Sequence, residues 1–295
     1  MATFLGINLF ALSGQLLIGL INGSFYALLA LGLAIIFGLL KIINFSQGAL
    51  YMLGAFAAWI GLEYLQIGYW WSLLLVPIVV GAFGILMERF LIRPIANEDH
   101  LYSLLLTFGI ALVLQGLFTH WFGSSGLPYA IPDELKGGTK LPFMYLPNYR
   151  AWIIVFSLII CTGTWYLIEK TKLGAYLRAG TENPQLMQAF GINVPLIVTL
   201  TYGFGVALAG VAGVLAAPVY SVSPEMGSNI LIVVFAIVVI GGMGSIGGAI
   251  LTGLAMGVVE GLTKYFYPEA SNTVIFLVMV LVILLRPAGL FGKPA

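Results

Sequence analysis

Charge is the scarcest feature of this sequence. Only 8% of its 295 residues are Asp, Glu, Lys or Arg, against about 25% in an ordinary soluble domain. With 61% apolar residues and a mean hydropathy of +1.07, a water-soluble fold would lack the interior to hide this surface. Lipid is therefore the expected solvent. The net charge of +1 offers no basic field for nucleic acid. Cysteine occurs once, as Cys161 in an apolar run, which excludes an intrachain disulfide and suits a small hydrophobe. With that one cysteine and only His100 and His120, a Cys/His metal site is not expected. No charged residue precedes Lys41, so the basic start of a cleaved secretory signal is missing. Targeting is expected to come from the first hydrophobic span. The phosphate-cradling pattern G-x-x-x-x-G-K-[ST] is also missing. Its nearest approach, Gly289-Leu290-Phe291-Gly292-Lys293-Pro294, has the wrong spacing and a proline in place of the hydroxyl. If ATP is used, a partner must handle it.

What is abundant is long apolar runs. A spanning helix needs about 20 mostly apolar residues. Candidate spans fall at 12–38, 46–65, 70–92, 101–121, 150–168, 195–217, 229–241, 247–265 and 272–287. These runs are too long and too uniformly apolar for the alternating segments of a barrel. The expected fold is an all-α polytopic bundle of about 8–9 spans with broken helices, one membrane domain covering 1–295. The seventh run is short and ends in Gly241-Gly242-Met243-Gly244-Ser245-Ile246-Gly247-Gly248, a cluster that resists a continuous helix and suits a broken or re-entrant one. Small residues recur at helical spacing at Gly205, Ala209, Gly213 and Ala217, and again at Gly253, Gly257 and Gly261. Such stripes let helix backbones approach closely in lipid.

Lysine and arginine placement sets orientation. With alternating spans, Lys41, Arg89, Arg93, Lys170, Lys172, Arg178, Arg286 and Lys293 share one side. Lys136, Lys140, Arg150 and Lys264 take the other. This puts 169–194 and the C-terminus in the cytoplasm, and the N-terminus and the Gly- and Pro-rich loop 122–149 outside.

Polar residues interrupt the apolar pattern at few places. Asn44, Ser46, Gln47 and Gly48 sit between two apolar stretches. A helix that breaks there exposes backbone groups that need polar partners or water, as a cavity, a gate or a plain interfacial turn would supply. Interruptions in the two halves of a transporter can mark its path, which draws in Gly242, Gly244 and Ser245. Thr107 and Gln115 lie inside the fourth span and read first as interhelical hydrogen-bond formers. Glu260 is the one acid well inside a span-like run, with Lys264 one turn later as its expected partner. A membrane enzyme would need a Ser/His or acid-pair constellation; His100 and His120 instead stand at opposite ends of one span. A stand-alone secondary transporter would show ionisable groups in its spans, for which Glu260 is the sole candidate.

The stretch from Lys170 to Asn193 differs from its surroundings. Thr181 or Asn183 can cap a short helix, Pro184 suits its first turn, and Gly191 suits its end. Leu186, Met187, Ala189, Phe190 and Ile192 give it an apolar face. Such a helix either lies on the bilayer surface or inserts into a groove on a soluble partner.

Several blocks resemble LivH-type branched-chain amino acid ABC permeases. They are Asn22–Leu28 with Ile42–Gly54, then Arg93-Pro94 with Leu105–Gly109 and Gln115, Arg178–Ile192, Gly241–Gly248, and Arg286–Gly292. They occur in order over nearly the whole chain. Family members often carry Ala-His where this chain has Ser46-Gln47, so an imidazole is missing there. The resemblance implies a permease subunit of an ATP-driven importer in the bacterial inner membrane. Its cargo would be branched-chain or related amino acids, with urea or amides as the alternative. The implied partners are a second homologous permease, two cytoplasmic ATPases that bind ATP and Mg, a periplasmic solute-binding protein, and membrane lipid. This chain would bind no cofactor itself. The implied coupling helix comprises Ala179, Gly180, Thr181, Glu182, Asn183, Pro184, Leu186, Ala189, Gly191 and Ile192. The translocation path would run past Asn44, Ser46, Gln47, Gly48, Thr107, Gln115, Gly242, Gly244 and Ser245. The implied mechanism is alternating access.

Overall fold

In a computed structural model that describes residues 3–4, 7–40, 42–96, 98–141 and 144–292, almost every apolar run is a helix. Lys41 and Lys293, both used above to set orientation, lie outside the described residues. In chain order the helices are α1 Leu9–Leu40, α2 Gln47–Leu65, α3 Tyr69–Met87, α4 His100–Phe122, α5 Asn148–Lys170, α6 Lys172–Glu182, α7 Pro184–Ala189, α8 Val194–Ala216, α9 Met226–Gly241, α10 Ile246–Phe266 and α11 Val274–Leu285. Among the described residues two antiparallel hairpins are the paired strands, β1 Thr3–Phe4 with β2 Ile7–Asn8 and β3 Gly138–Leu141 with β4 Met144–Pro147, and Leu127 and Val222 form an isolated antiparallel bridge. The second hairpin lies within the 122–149 loop.

Seven helices among the described residues are long and apolar enough to cross a membrane. Two more apolar helices, α9 and α11, are shorter. The chain is a multi-pass, all-α membrane protein. The third span runs on past α3 through a π-helical turn, Glu88–Ile92, and a 3-10 turn, Arg93–Ile95. Pro94, which cannot donate to a preceding turn, closes it.

Two compact units are discernible. One comprises residues 1–30, 131–161 and 233–295, the other 31–130 and 162–232. In the first, the glycine stripe of α10 packs on α1. A Cβ on Gly253 would stand 2.6 Å from the Ala27 nitrogen, and one on Gly23 would stand 3.0 Å from the Leu254 carbonyl oxygen. The backbones therefore touch, as small-residue stripes permit. In the second unit α8 is the central element, packed on both α2 and α3. Its stripe is buried, and a Cβ on Gly213 would stand 2.6 Å from the Ala55 nitrogen. Against α3 the approach is equally close, since a Cβ on Gly84 would stand 2.7 Å from Val206 Cβ. Phe56, Phe118 and Phe122 join α2 to α4 with ring centroids 4.6–5.8 Å apart.

Candidate functional site

The break after α1 is a sealed polar joint. Asn44, Ser46 and Gln47 are each at most 1% exposed. Asn44 Oδ1 accepts from the Ser46 backbone N–H (3.1 Å) and from Ser46 Oγ (2.5 Å), a local arrangement that turns the chain. Asn44 Nδ2 donates to Gln47 Oε1 (3.2 Å), and Gln47 Nε2 donates to the Gly205 carbonyl of α8 (3.2 Å). Thr107 reaches in from α4: its Oγ1 accepts from the Phe45 N–H (3.0 Å) and donates within reach of the Ile43 carbonyl (3.3 Å). Thr107 thus serves the broken backbone rather than bonding another helix's side chain. The Phe45 and Ser46 N–H groups and the Ile43 carbonyl thus find side-chain partners, as an apolar surrounding demands.

Gly48 and Gln115 stand slightly apart from this joint. Gly48 abuts the Gly227 backbone at the start of α9. Gln115 lines a separate cavity of about 60 Å³, together with Ala49, Met52, Phe108, Gly227 and Ser228. Gly242, Gly244 and Ser245 belong to the other unit. There Gly242 and Gly244 take φ values of 99° and 94°, left-handed backbone that favours glycine. Ser245 Oγ caps α10 by accepting from the Gly248 N–H at 3.1 Å. The turn receives the C-terminal segment: the Leu290 and Phe291 N–H groups donate to the carbonyls of Ile240 (2.8 Å) and Gly241 (3.1 Å). The glycine cluster makes room for this backbone contact, since a Cβ on Gly242 would stand 2.5 Å from the Gly292 nitrogen.

Residues 169–194 form two helices rather than the single short one expected. The first, α6, is amphipathic: Leu173, Tyr176 and Leu177 fall at helical spacing, with Leu177 buried and Leu173 and Tyr176 exposed. Thr181 falls within its backbone; its side chain lies outside the described residues. Asn183 is the cap. Its Oδ1 accepts from the Leu186 N–H at 3.0 Å, with Pro184 in the first turn of α7. Gly191, at φ 80°, ends the element. Met187 packs inward, while Leu186 and Phe190 are 52% and 73% exposed. Gly180, Pro184 and Gln188 face an open cavity of about 440 Å³ that also touches Ile92, Arg93 and Pro195.

Two acid networks were not anticipated from residue order. Glu260 does not use Lys264. Its oxygens accept from Asn22 Nδ2 (3.1 Å) and Tyr26 OH (2.7 Å) on α1. The helix crossing, not the next turn of α10, supplies its donors. The second is Glu88, which is 2% exposed and sits in the π-turn after α3, so Glu260 is not alone as a buried acid. Arg93 Nε and Nη2 donate to the two Glu88 oxygens at 3.2 and 3.1 Å. Thr199 Oγ1 on α8 donates to Glu88 Oε2 (2.7 Å) and accepts from Arg93 Nη2. Arg93 Nη2 also reaches the Pro195 carbonyl at 3.2 Å. The (i, i+5) spacing of Glu88 and Arg93 suits no α-helical pair; only the π-turn brings them together. Among the described residues no three His, Cys, Asp or Glu side chains converge as a metal would need.

Outside the membrane spans, burial pushes the Tyr129 hydroxyl above its ordinary 10.0, against a smaller lowering by Ser72. Exposed Asp133 is held below its usual range by Lys136.

The family described as "Branched-chain amino acid transport system / permease component" matches residues 15–284. The chain is 32% identical to the high-affinity branched-chain amino acid transport system permease protein BraD of Pseudomonas aeruginosa, covering 95% of both proteins. It is 32% identical, at the same coverage, to the corresponding protein LivH of Salmonella typhimurium. It is also 27% identical to the permease protein LivM of that organism, over 90% of this chain and 67% of the relative. No solved structure matches it.

Proposed function

We propose, given that this chain belongs to the family of branched-chain amino acid transport permease components, that it forms half of the membrane pathway of an ATP-driven importer. Its cargo is branched-chain or chemically related amino acids. Its relatives are permeases rather than enzymes. The second half is a homologous permease, a reading supported by the simultaneous likeness to LivH and LivM. Two ATPases supply ATP and Mg chemistry from the cytoplasm, and a periplasmic binding protein delivers the solute.

The observation that carries this reading is the capped α6–α7 element. A helix that presents Leu186 and Phe190 to solvent while burying Met187 has an apolar face that its own fold does not use. A groove on the ATPase is the natural acceptor for such a face. The coupling set is Ala179 to Pro184 with Leu186, Ala189, Gly191 and Ile192, and it moves as ATP is bound and hydrolysed. The translocation path includes the joint at Asn44, Ser46, Gln47, Gly48 and Thr107, with Gln115, Gly242, Gly244 and Ser245. In the sealed arrangement described above the joint is closed, and alternating access opens it. The membrane is the bacterial inner membrane. Helices α9 and α11, about 24 and 18 Å long at 1.5 Å per residue, cross where the bilayer thins locally. Nine crossings then put 169–194 and the C-terminus in the cytoplasm and 122–149 outside.

The test is uptake of leucine, isoleucine and valine into proteoliposomes carrying both permeases and the ATPases, with the binding protein supplied on the face opposite the ATPases. Leu186→Asp is expected to abolish ATP-driven uptake and ATPase co-purification while the chain stays folded, because Leu186 is half exposed. Unchanged assembly and uptake would sink the coupling assignment. Uptake by this chain alone, driven by an ion gradient, would sink the importer reading.

A further inference from the structure

The ionic cluster at the end of α3 stands where the coupling segment feeds into the membrane. Four residues separate the end of α7 from the start of α8, and this linker is stiff. The Ile192 N–H donates to the Met187 carbonyl (3.1 Å), and Asn193 Oδ1 caps α8 by accepting from the Leu196 N–H (3.1 Å). A shift of α7 must therefore reach the first two turns of α8, which carry Pro195 and Thr199. Both bond to Arg93, and Thr199 bonds to Glu88 as well.

We propose that Glu88, Arg93 and Thr199 are the joint that carries displacement of the coupling segment from α8 into α3, so that both spans move as one lever; this rests on the coupling reading above. Three observations combine. First, α3 and α8 are in backbone-close contact at Gly81 and Gly203, and the Val206 side chain packs onto Gly84, so they slide past each other only with difficulty. Second, Glu88 is buried and its charge is met by Arg93 and the Thr199 hydroxyl. If α8 moved without α3, that carboxylate would lose the Thr199 hydroxyl, which is costly for a buried charge. Dragging α3 is the easier course. Third, Glu88 opens a π-turn, Glu88–Ile92, an insertion that frequently marks functional sites in helices, and Arg93 follows directly after it. The cavity of about 440 Å³ between this turn and the α6–α7 segment leaves space for the movement. A joint meant only for stability would be better served by apolar packing, which buried ion pairs seldom surpass.

The experiment uses the complete transporter in proteoliposomes, with uptake and ATP hydrolysis measured together. Thr199→Val removes the hydroxyl at nearly constant volume. Its expected effect is an about tenfold fall in solute moved per ATP, within the usual range of coupling between sites, with hydrolysis maintained. Thr199→Ser, which keeps the hydroxyl, restores the ratio. A valine variant with an unchanged ratio, or with uptake and hydrolysis falling in proportion, overturns the proposal. If the valine variant does not assemble, a spin label at Phe90→Cys, on the exposed side of the π-turn, is followed in the otherwise unaltered complex. Nucleotide-dependent movement supports the joint, and a label that stays still through the cycle overturns it. Absence of ATP-driven uptake by the unaltered complex would instead refute the importer reading on which the joint rests.

Discussion

Replacing Gly253 with alanine tests the α1–α10 contact directly. The added methyl would lie 2.6 Å from the Ala27 nitrogen, 2.7 Å from its Cα and 3.1 Å from its Cβ. Carbon atoms in comfortable contact stand about 3.5–4.0 Å apart, so the helices must separate by about 1 Å. Two of these atoms are backbone, which cannot rotate away. Overpacking of this kind costs about 1–3 kcal/mol. Alanine also favours the helix over glycine by about 1 kcal/mol, which partly hides the loss. Gly14→Ala in α1 removes that ambiguity, because nothing lies within 4 Å of a Cβ there. The difference between the two variants isolates the contact and is expected to be about 1–3 kcal/mol, Gly253→Ala being the less stable. The assay is equilibrium unfolding of the purified permease in mixed micelles, followed by tryptophan fluorescence. Equal stability of the two variants would refute the close packing of α1 on α10.

Three further outcomes follow from the networks. Thr107→Val removes an acceptor of the part-buried Phe45 N–H and is expected to destabilise by about 1 kcal/mol, with Thr107→Ser near the unaltered protein; equal unfolding midpoints for valine and serine would contradict this. Glu260→Leu deprives two donors, Asn22 and Tyr26, of their acceptor and is expected to cost about 1–3 kcal/mol. Glu260→Gln keeps one accepting oxygen and should cost less, an order that unfolding curves in micelles can reverse. Burial raises the Tyr129 hydroxyl above its ordinary value, so above about pH 10 the unfolded chain releases this proton while the folded chain holds it. Stability must then fall with rising pH in that window, and Tyr129→Phe should flatten the fall in a pH series of thermal unfolding.

The spans were legible because lipid imposes a crude and strong rule: about 20 apolar residues and no unpaired backbone. Predicted and observed helices agree to within a few residues for most spans. The end at Gly191 was likewise readable, and the cap was narrowed to Thr181 or Asn183, since both are local matters of one turn. Helix α6 was not, because its Lys-, Arg- and Glu-bearing sequence has no long apolar run. Asn44, Ser46 and Gln47 stood out as an interruption, yet the interruption alone left cavity, gate and plain interfacial turn all open. Only the packing of α4 and α8 on the break brought Thr107 and the Gly205 carbonyl to it and turned it into a sealed joint. The partner of Glu260 was misread for a related reason: sequence neighbours suggested Lys264, whereas the donors come from a helix more than 230 residues away.

Scarcity of charge and length of apolar run by themselves determined membrane residence, helical class and the approximate course of the chain. They act residue by residue and need no knowledge of neighbours. What each rare polar group does was decided by tertiary structure alone. In an apolar interior a buried acid or amide must find a partner, and which partner depends on how distant helices cross. Glu88 is the clearest case. Along the chain it is one charge among several beside Arg89 and Arg93, and only the π-turn and the approach of α8 make it a buried carboxylate held by Arg93 and Thr199.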